Sequence, residues 1–397
     1  NGIFFCVINI QGVCIMIKIL QFPARGGDSV LIQVDSMHIL VDGGYTSTYK
    51  EYIENFLISN HIELDIVICT HYDQDHIEGI LPLVESYPHI KDVWYNGFYE
   101  LFTHCSNDYL TFSEKRKLAA DFSYISEDRN NGKEISRRQG ESLSTLLKNR
   151  CDLIRNSGHD LIVANSEPIL IHKEITITII SPELSDLNCL KTKWEKELEF
   201  SLKRKTKAVD NEIVEAFENY QLITSSIGDS RNGTEQISLS NNTIEDLLSI
   251  EPPENDTSVI NRAAISFIIS SQGFEFLYCS DSDDLTIEKV LKQRKNKKFV
   301  GVKVSHHGSI RNNWSWIDHV ESNMFFISTD GIKYDNHPSL NVLAKIAKKN
   351  PGCAIYFNYF IPKIAEYSDV FREKLGCKLV FPNEVNLKYI TIRSSYD

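Results

Sequence analysis

No two of the nine cysteines are spaced Cys-x-x-Cys. Their odd number and scatter exclude a disulfide framework and a thiolate zinc site. Cys69 in "DIVICT" and Cys279 in "FEFLYCSD" sit inside apolar runs and read as buried reduced thiols. Positive charge is also scarce: 42 Lys and Arg stand against 54 Asp and Glu, a formal net charge of -12. The chain therefore has no global basic footprint for nucleic acid, and a polyanion has to be met by a local patch or by metal ions. Long apolar runs are missing as well. The opening "NGIFFCVINIQGVCIMIKIL" is interrupted by Asn9, Gln11 and Lys18, and it lacks a basic leader and a small-residue cleavage site. Neither a membrane span nor a signal peptide is expected, and the chain is read as cytoplasmic. There is no internal repeat.

What is present is an ordinary globular composition, 397 residues with 42% hydrophobic and 24% charged, compatible with one large domain carrying insertions. Residues 1–15 are expected to be an N-terminal extension, because Met16 opens the first strand-like run, and residues 16–397 to be the domain. "MIKILQF", "DSVLIQV" and "HILVDGG" read as short strands separated by Gly-rich turns. "LDIVICT" is a continuous apolar run of strand length, as expected for a strand covered on both faces. Two polar stretches, at about 98–165 and 184–256, read as helical insertions. Strands return at 168–183 and 257–281, followed by a short amphipathic helix in "DDLTIEKVLKQR". This mixed order predicts a layered α/β core.

The segment "THYDQDH" places His71, Asp73, Asp75 and His76 within six positions. In an extended loop alternate side chains face one side, so His71, Asp73 and Asp75 converge while Tyr72 and Gln74 turn away, and His76 follows at a helix start. Carboxylates this close repel one another unless a cation neutralises them. Asp281 ends the run "LYCSD", His306 and His307 end "VKVSHH", and His337 lies in the turn "YDNHPS". Each stands just beyond a strand, where open α/β sheets place their sites. Asp42 in "VDGG" reads either as a carboxylate behind a ligand histidine or as a turn residue.

This set resembles the metallo-β-lactamase fold hydrolases, whose signature is HxHxDH on a strand-loop-helix unit, followed by a distant bridging Asp and a further His. The Asp at the second ligand place, "SHHGS" and the later "HP" resemble the soluble relatives of the ComEC-like DNA-uptake proteins. The resemblance covers about 16–97, 168–183 and 257–340. It implies a four-layer αββα sandwich and two divalent ions, manganese or zinc. His71 and Asp73 would hold one ion. Asp75, His76 and a histidine of the pair His306 and His307 would hold the other, with Asp281 bridging. Asp75, Asp281, His307 and His337 are the expected catalytic groups. Ser280 stands where the family has Gly before the bridging Asp. The family's separate third histidine has no counterpart, because His89, His104, His159 and His172 lack its setting.

The resemblance implies a metal-dependent phosphodiesterase, most specifically a nuclease. Two other readings stay open: a hydrolase of a lactone, thioester or cyclic nucleotide, and an effector or scaffold subunit of a multi-gene bacterial defence system. The expected partners are a nucleic-acid substrate and a protein docked on the insertions, with no membrane. The basic runs 202–207 and 292–298 read either as phosphate contacts or as solvated faces.

Overall fold

The computed structural model describes residues 17–102, 142–164, 167–202, 217–218, 243–251, 254–333, 336–382 and 390–392. Position 16, the 1–15 extension, His104 and most of the 202–207 run lie outside the described residues.

Two sheets form the centre. The first runs, in spatial order, Ile390–Ile392, Ile17–Gln21, Val30–Val34, Met37–Val41, Leu64–Ile68, Ile90–Trp94 and Ile154–Arg155. The second runs Lys378–Val380, Ala354–Phe357, Met324–Ile327, Gly301–Lys303, Phe274–Tyr278, Ser266–Ser271, Ile175–Ser181 and Ile169–His172. Alternate side chains divide the core into three. Ile32, Ile39, Ile66 and Ile68 of the first sheet meet Ile177, Phe267, Ile269 and Phe276 of the second. Leu31, Leu40 and Val67 face away, towards helical residues such as Ile53, Leu57 and Leu83. Leu277, Val302 and Phe325 do the same on the far side, against Ile287, Leu343 and Ile346. This is the four-layer αββα sandwich. Because helices cover both sheets, both faces of each central strand are buried and those strands read as unbroken apolar runs.

Met37–Val41, Leu64–Ile68 and Ile90–Trp94 are parallel neighbours. So are Phe274–Tyr278, Gly301–Lys303, Met324–Ile327 and Ala354–Phe357. Parallel pairing brings the loops that follow these strands to a common edge. The last fifty residues, outside the family resemblance, complete both sheets through Ala354–Phe357, Lys378–Val380 and Ile390–Ile392. Within the first polar stretch, Ile154–Arg155 is the edge strand of the first sheet, paired with Asp92 and Val93. Among the described residues no helix is long and apolar enough to cross a membrane.

The described parts of the two polar stretches share one core. The helix Leu184–Leu202 sets Trp194 against Phe98 (5.6 Å) and Phe217 (6.1 Å). The carboxylate of Glu218 accepts hydrogen bonds from the amides of Phe98 (2.9 Å) and Ser144 (3.2 Å). Trp194 also packs on Tyr72, with ring centroids 5.1 Å apart, so this cap touches the loop that carries His71 and Asp73. Trp194→Ala is expected to cost about 3–5 kcal/mol, the usual effect of emptying a buried indole site. Metal affinity should weaken with it, because Tyr72 loses its support. Chemical denaturation and metal titration of the same variant check both; a stability loss with unchanged metal affinity would uncouple the cap from the loop.

Candidate metal centre

Every member of the candidate cluster sits at the shared strand edge. Asp42 follows Met37–Val41, His71 follows Leu64–Ile68, Asp281 follows Phe274–Tyr278, and His306 follows Gly301–Lys303. Asp281 is the hub. Its Oδ2 lies 3.4 Å from His76 Nε2, 3.7 Å from His306 Nε2, 3.9 Å from His307 Nε2 and 4.0 Å from His71 Nε2. His71 Nε2 is 3.5 Å from Asp73 Oδ2, and His307 Nε2 is 3.6 Å from Asp75 Oδ2.

The four imidazoles point Nε2 inward because each Nδ1 is held from behind. His76 Nδ1 lies 2.8 Å from Asp42 Oδ2 and His307 Nδ1 lies 2.8 Å from the carbonyl of Ser328. His306 Nδ1 is 3.0 Å from Asn312 Oδ1, and His71 Nδ1 is 3.0 Å from Thr70 Oγ1. The Thr70 hydroxyl in turn donates to Asp42 Oδ2 at 2.8 Å. Asp42 therefore orients two histidines at once, one directly and one through Thr70. A hydrogen bond at Nδ1 fixes the tautomer that leaves the Nε2 lone pair for a cation.

The 71–76 segment differs from the extended-loop reading. Asp75 and His76 lie on the short helix Gln74–Ile77, whose first turn closes when the amides of His76 and Ile77 donate to the carbonyl of Asp73 at 2.9 and 3.0 Å. Asp75 thus converges through a helical turn rather than strand alternation, whereas Tyr72 does turn away, onto Trp194. Gly27 permits the approach: a Cβ there would stand 2.1 Å from the Asp75 carbonyl oxygen. The pair His306 and His307 adopts left-handed backbone, φ 41° and 54°, sparsely populated for residues with a Cβ. Asn313 holds this turn, its amide donating to the carbonyls of Ser305 (2.8 Å) and Ser309 (2.7 Å). The result aims His307 at Asp75 and His306 towards Asp256, whose Oδ2 is 3.6 Å from His306 Nδ1.

The cluster is electrostatically negative at its centre. Burial pulls His76 down, yet Asp281 and Asp42 hold its pKa well above the usual range. Burial likewise opposes the carboxylates around His306, but Asp281 and Asp256 push it up to about 10. Burial raises Asp281, and His76, His306 and His307 more than reverse this, holding it well below the usual carboxylate range. Burial, then His306 and His307, keep His337 well below its ordinary value; its ring lies 5.5 Å from His306 and 6.5 Å from His307.

Among the described residues, His71 Nε2, His76 Nε2, Asp73 Oδ1 and Asp281 Oδ1 are buried and make no hydrogen bond. Buried polar atoms are normally satisfied, at a cost of about 1–3 kcal/mol each when they are not. Several such atoms converging on one carboxylate fit a divalent cation. The donors are nitrogen and oxygen with no thiolate, compatible with zinc or manganese.

Residues 23–132 match the metallo-beta-lactamase superfamily. An 80-residue stretch is 32% identical to hydroxyacylglutathione hydrolase of Vibrio campbellii (strain ATCC BAA-1116), covering 20% of this chain and 30% of that protein. The chain thus spans about a third of that curated relative's length. Among solved structures, the metallo-beta-lactamase fold protein YhfI from Bacillus subtilis aligns with 95% of this chain and 99% of its own, at 10% identity and a TM-score of 0.41. A diphosphatase from the PhnP family aligns with 92% and 85%, at 11% identity and a TM-score of 0.34.

His89, His159 and His172 are exposed and stand outside the Asp281 cluster. The basic run 292–298 lies at the N-terminal end of Gly301–Lys303, whereas His306 follows the strand's C-terminal end. It does not line the centre, and Lys292 and Arg294 pair with Glu288 and Glu275. Several groups at the centre escaped sequence reasoning. Asp28 donor atoms lie with those of His76, Asp281 and His307 within 4.8 Å of one another, and Asp28 Oδ2 is paired with Lys303 Nζ at 2.8 Å. Asp256, Asn312, Asn313 and Lys333 were also missed. The signal available was weak: an acid in the turn "RGGDS", a lysine inside "VKVSHH", and paired asparagines just after it.

Proposed function

We propose that this domain is a metal-dependent hydrolase acting on phosphodiesters, with nucleic acid as its substrate class. The observation that carries the reading is the set of four inward-facing Nε2 atoms around Asp281 Oδ2. His71, Asp73 and His306 would hold a divalent ion on one side of Asp281, with Asp75, His76 and His307 on the other. His306 would stand in for the missing third histidine. A bound divalent ion supplies Lewis-acid stabilisation of developing negative charge and an acidified water nucleophile. Asp42 and Thr70 hold His71 and His76 in the ligating tautomer. His337, beside both histidines, is the group assigned to hydrogen-bond the phosphoryl oxygen or leaving group. A second reading, thioester hydrolysis, is favoured by the identity to hydroxyacylglutathione hydrolase over 80 residues.

Asp73 bears on the metal. An imidazole suits zinc, while a carboxylate suits harder ions such as manganese. Manganese is expected to support a rate at least about tenfold above zinc, and Asp73→His to reverse the order. The experiment strips the protein, reloads each metal singly, and measures a simple phosphodiester, single- and double-stranded DNA, RNA, cyclic nucleotides and an acylglutathione thioester. Turnover of the thioester with none of the phosphodiesters would replace the first reading by the second. Activation by zinc alone would overturn the argument from Asp73.

A further inference from the structure

Resting on the metal-hydrolase reading, we infer that Lys333 takes the charge role of a second cation at Asp75, so that the centre binds one divalent ion tightly and a second only weakly. Lys333 Nζ lies 3.2 Å from Asp75 Oδ2, the same oxygen that His307 Nε2 approaches at 3.6 Å. This is where an ion held by Asp75, His76 and His307 would have to bind.

The lysine is held in this position from its backbone to its tip, although its side chain stays 30% exposed. Its amide and that of Ile332 donate to Asp330 Oδ1 at 3.2 and 2.9 Å, which fixes the turn. Its stem crosses Gly26, where a Cβ would stand 2.7 Å from both Cβ and Cδ of Lys333. Only glycine leaves that passage open, and Gly26 and Gly27 together seat the lysine stem and Asp75 side by side. The ammonium lies 5.4 Å from the centroid of the Tyr45 ring, a favourable distance for a cation over an aromatic face. Asp75 is almost wholly buried, so its charge acts in a medium that screens poorly. A divalent ion bound to the same oxygen would sit beside a resident positive charge, and like charges at that range repel strongly. The ion would also have to displace the ammonium from its carboxylate. Asp73, 3.5 Å from His71 Nε2, is paired with no lysine among the described residues, so the tight site is the one that His71 and Asp73 would supply.

The test is the metal stoichiometry of the full chain, stripped and then titrated with Mn²⁺ or Zn²⁺ by calorimetry and by equilibrium dialysis with elemental analysis. The wild type is expected to take one equivalent tightly. Lys333→Met keeps the stem on Gly26 and Tyr45 but removes the charge, and should take two, with the second affinity raised at least about tenfold. Lys333→Arg should remain at one. Gly26→Ala, which expels the stem without removing the charge, should move in the direction of Lys333→Met. Two equally tight equivalents in the wild type, unchanged in Lys333→Met, would overturn this inference and leave the hydrolase reading standing. No binding by either protein would overturn both.

Discussion

Asp281→Asn is expected to lower hydrolysis by more than about 10³-fold. Loss of an outer-shell partner alone typically costs 10–100-fold in metal affinity or activity, and Asp281 is the one carboxylate within 4.0 Å of all four histidine Nε2 atoms. The amide keeps the shape and one oxygen but removes the charge that holds the imidazoles together and recruits a cation. The three hydrophobic layers make no use of this side chain, so far-UV circular dichroism should match the wild type. The check pairs turnover with metal content on the same preparation. Retained turnover in a metal-loaded Asp281→Asn protein would remove Asp281 from the centre of the mechanism.

Lys303→Met is expected to produce a large loss of stability. Lys303 and Asp28 are both fully buried and paired at 2.8 Å, and Lys303 also donates to the carbonyl of Val304 at 3.2 Å. Burial by itself would raise the Asp28 carboxyl, and Lys303 reverses this and keeps it ionised. Removing one partner leaves an uncompensated charge in the interior, at a cost of about 3–5 kcal/mol, or a melting temperature lower by roughly 5–10 °C. The double variant Lys303→Met with Asp28→Asn should recover much of the loss, because replacing both charges is far less costly than breaking the pair. Thermal unfolding of the two single variants and the double one completes the cycle; single losses that simply add would show that the pair does not act as a unit.

This ion pair also connects the scaffold to the chemistry. The Asp28 amide donates to the carbonyl of Asp75 at 3.1 Å, and the Asp28 carbonyl accepts from Gly44 at 2.8 Å. Asp28 thus joins the turn before the second strand to the "DGG" turn and to the Gln74–Ile77 helix. Lys303 and Lys333 place two ammonium groups against two of the carboxylates, which tempers the negative field that the centre offers a cation.

The sequence by itself determined the local chemistry. Four ligand-type residues within "HYDQDH", each strand followed by a His or Asp, and apolar runs too continuous for one-sided strands together specified a two-sided α/β core with its polar groups at one edge. These features are short-range: periodicity of two along a strand, and the first residues beyond its end, follow from the chain's own geometry. Only the tertiary structure decided which groups meet. Asp28 and Lys303 are 275 positions apart, and no periodicity relates them. The split of His306 and His307 towards different carboxylates depends on a left-handed turn clamped by Asn313. The contact of Lys333 with Asp75 depends on Gly26 leaving room for a lysine stem from the opposite sheet's loops. Such contacts arise from the packing of two sheets against each other, and side-chain identity along one strand carries no record of what the other sheet brings opposite it.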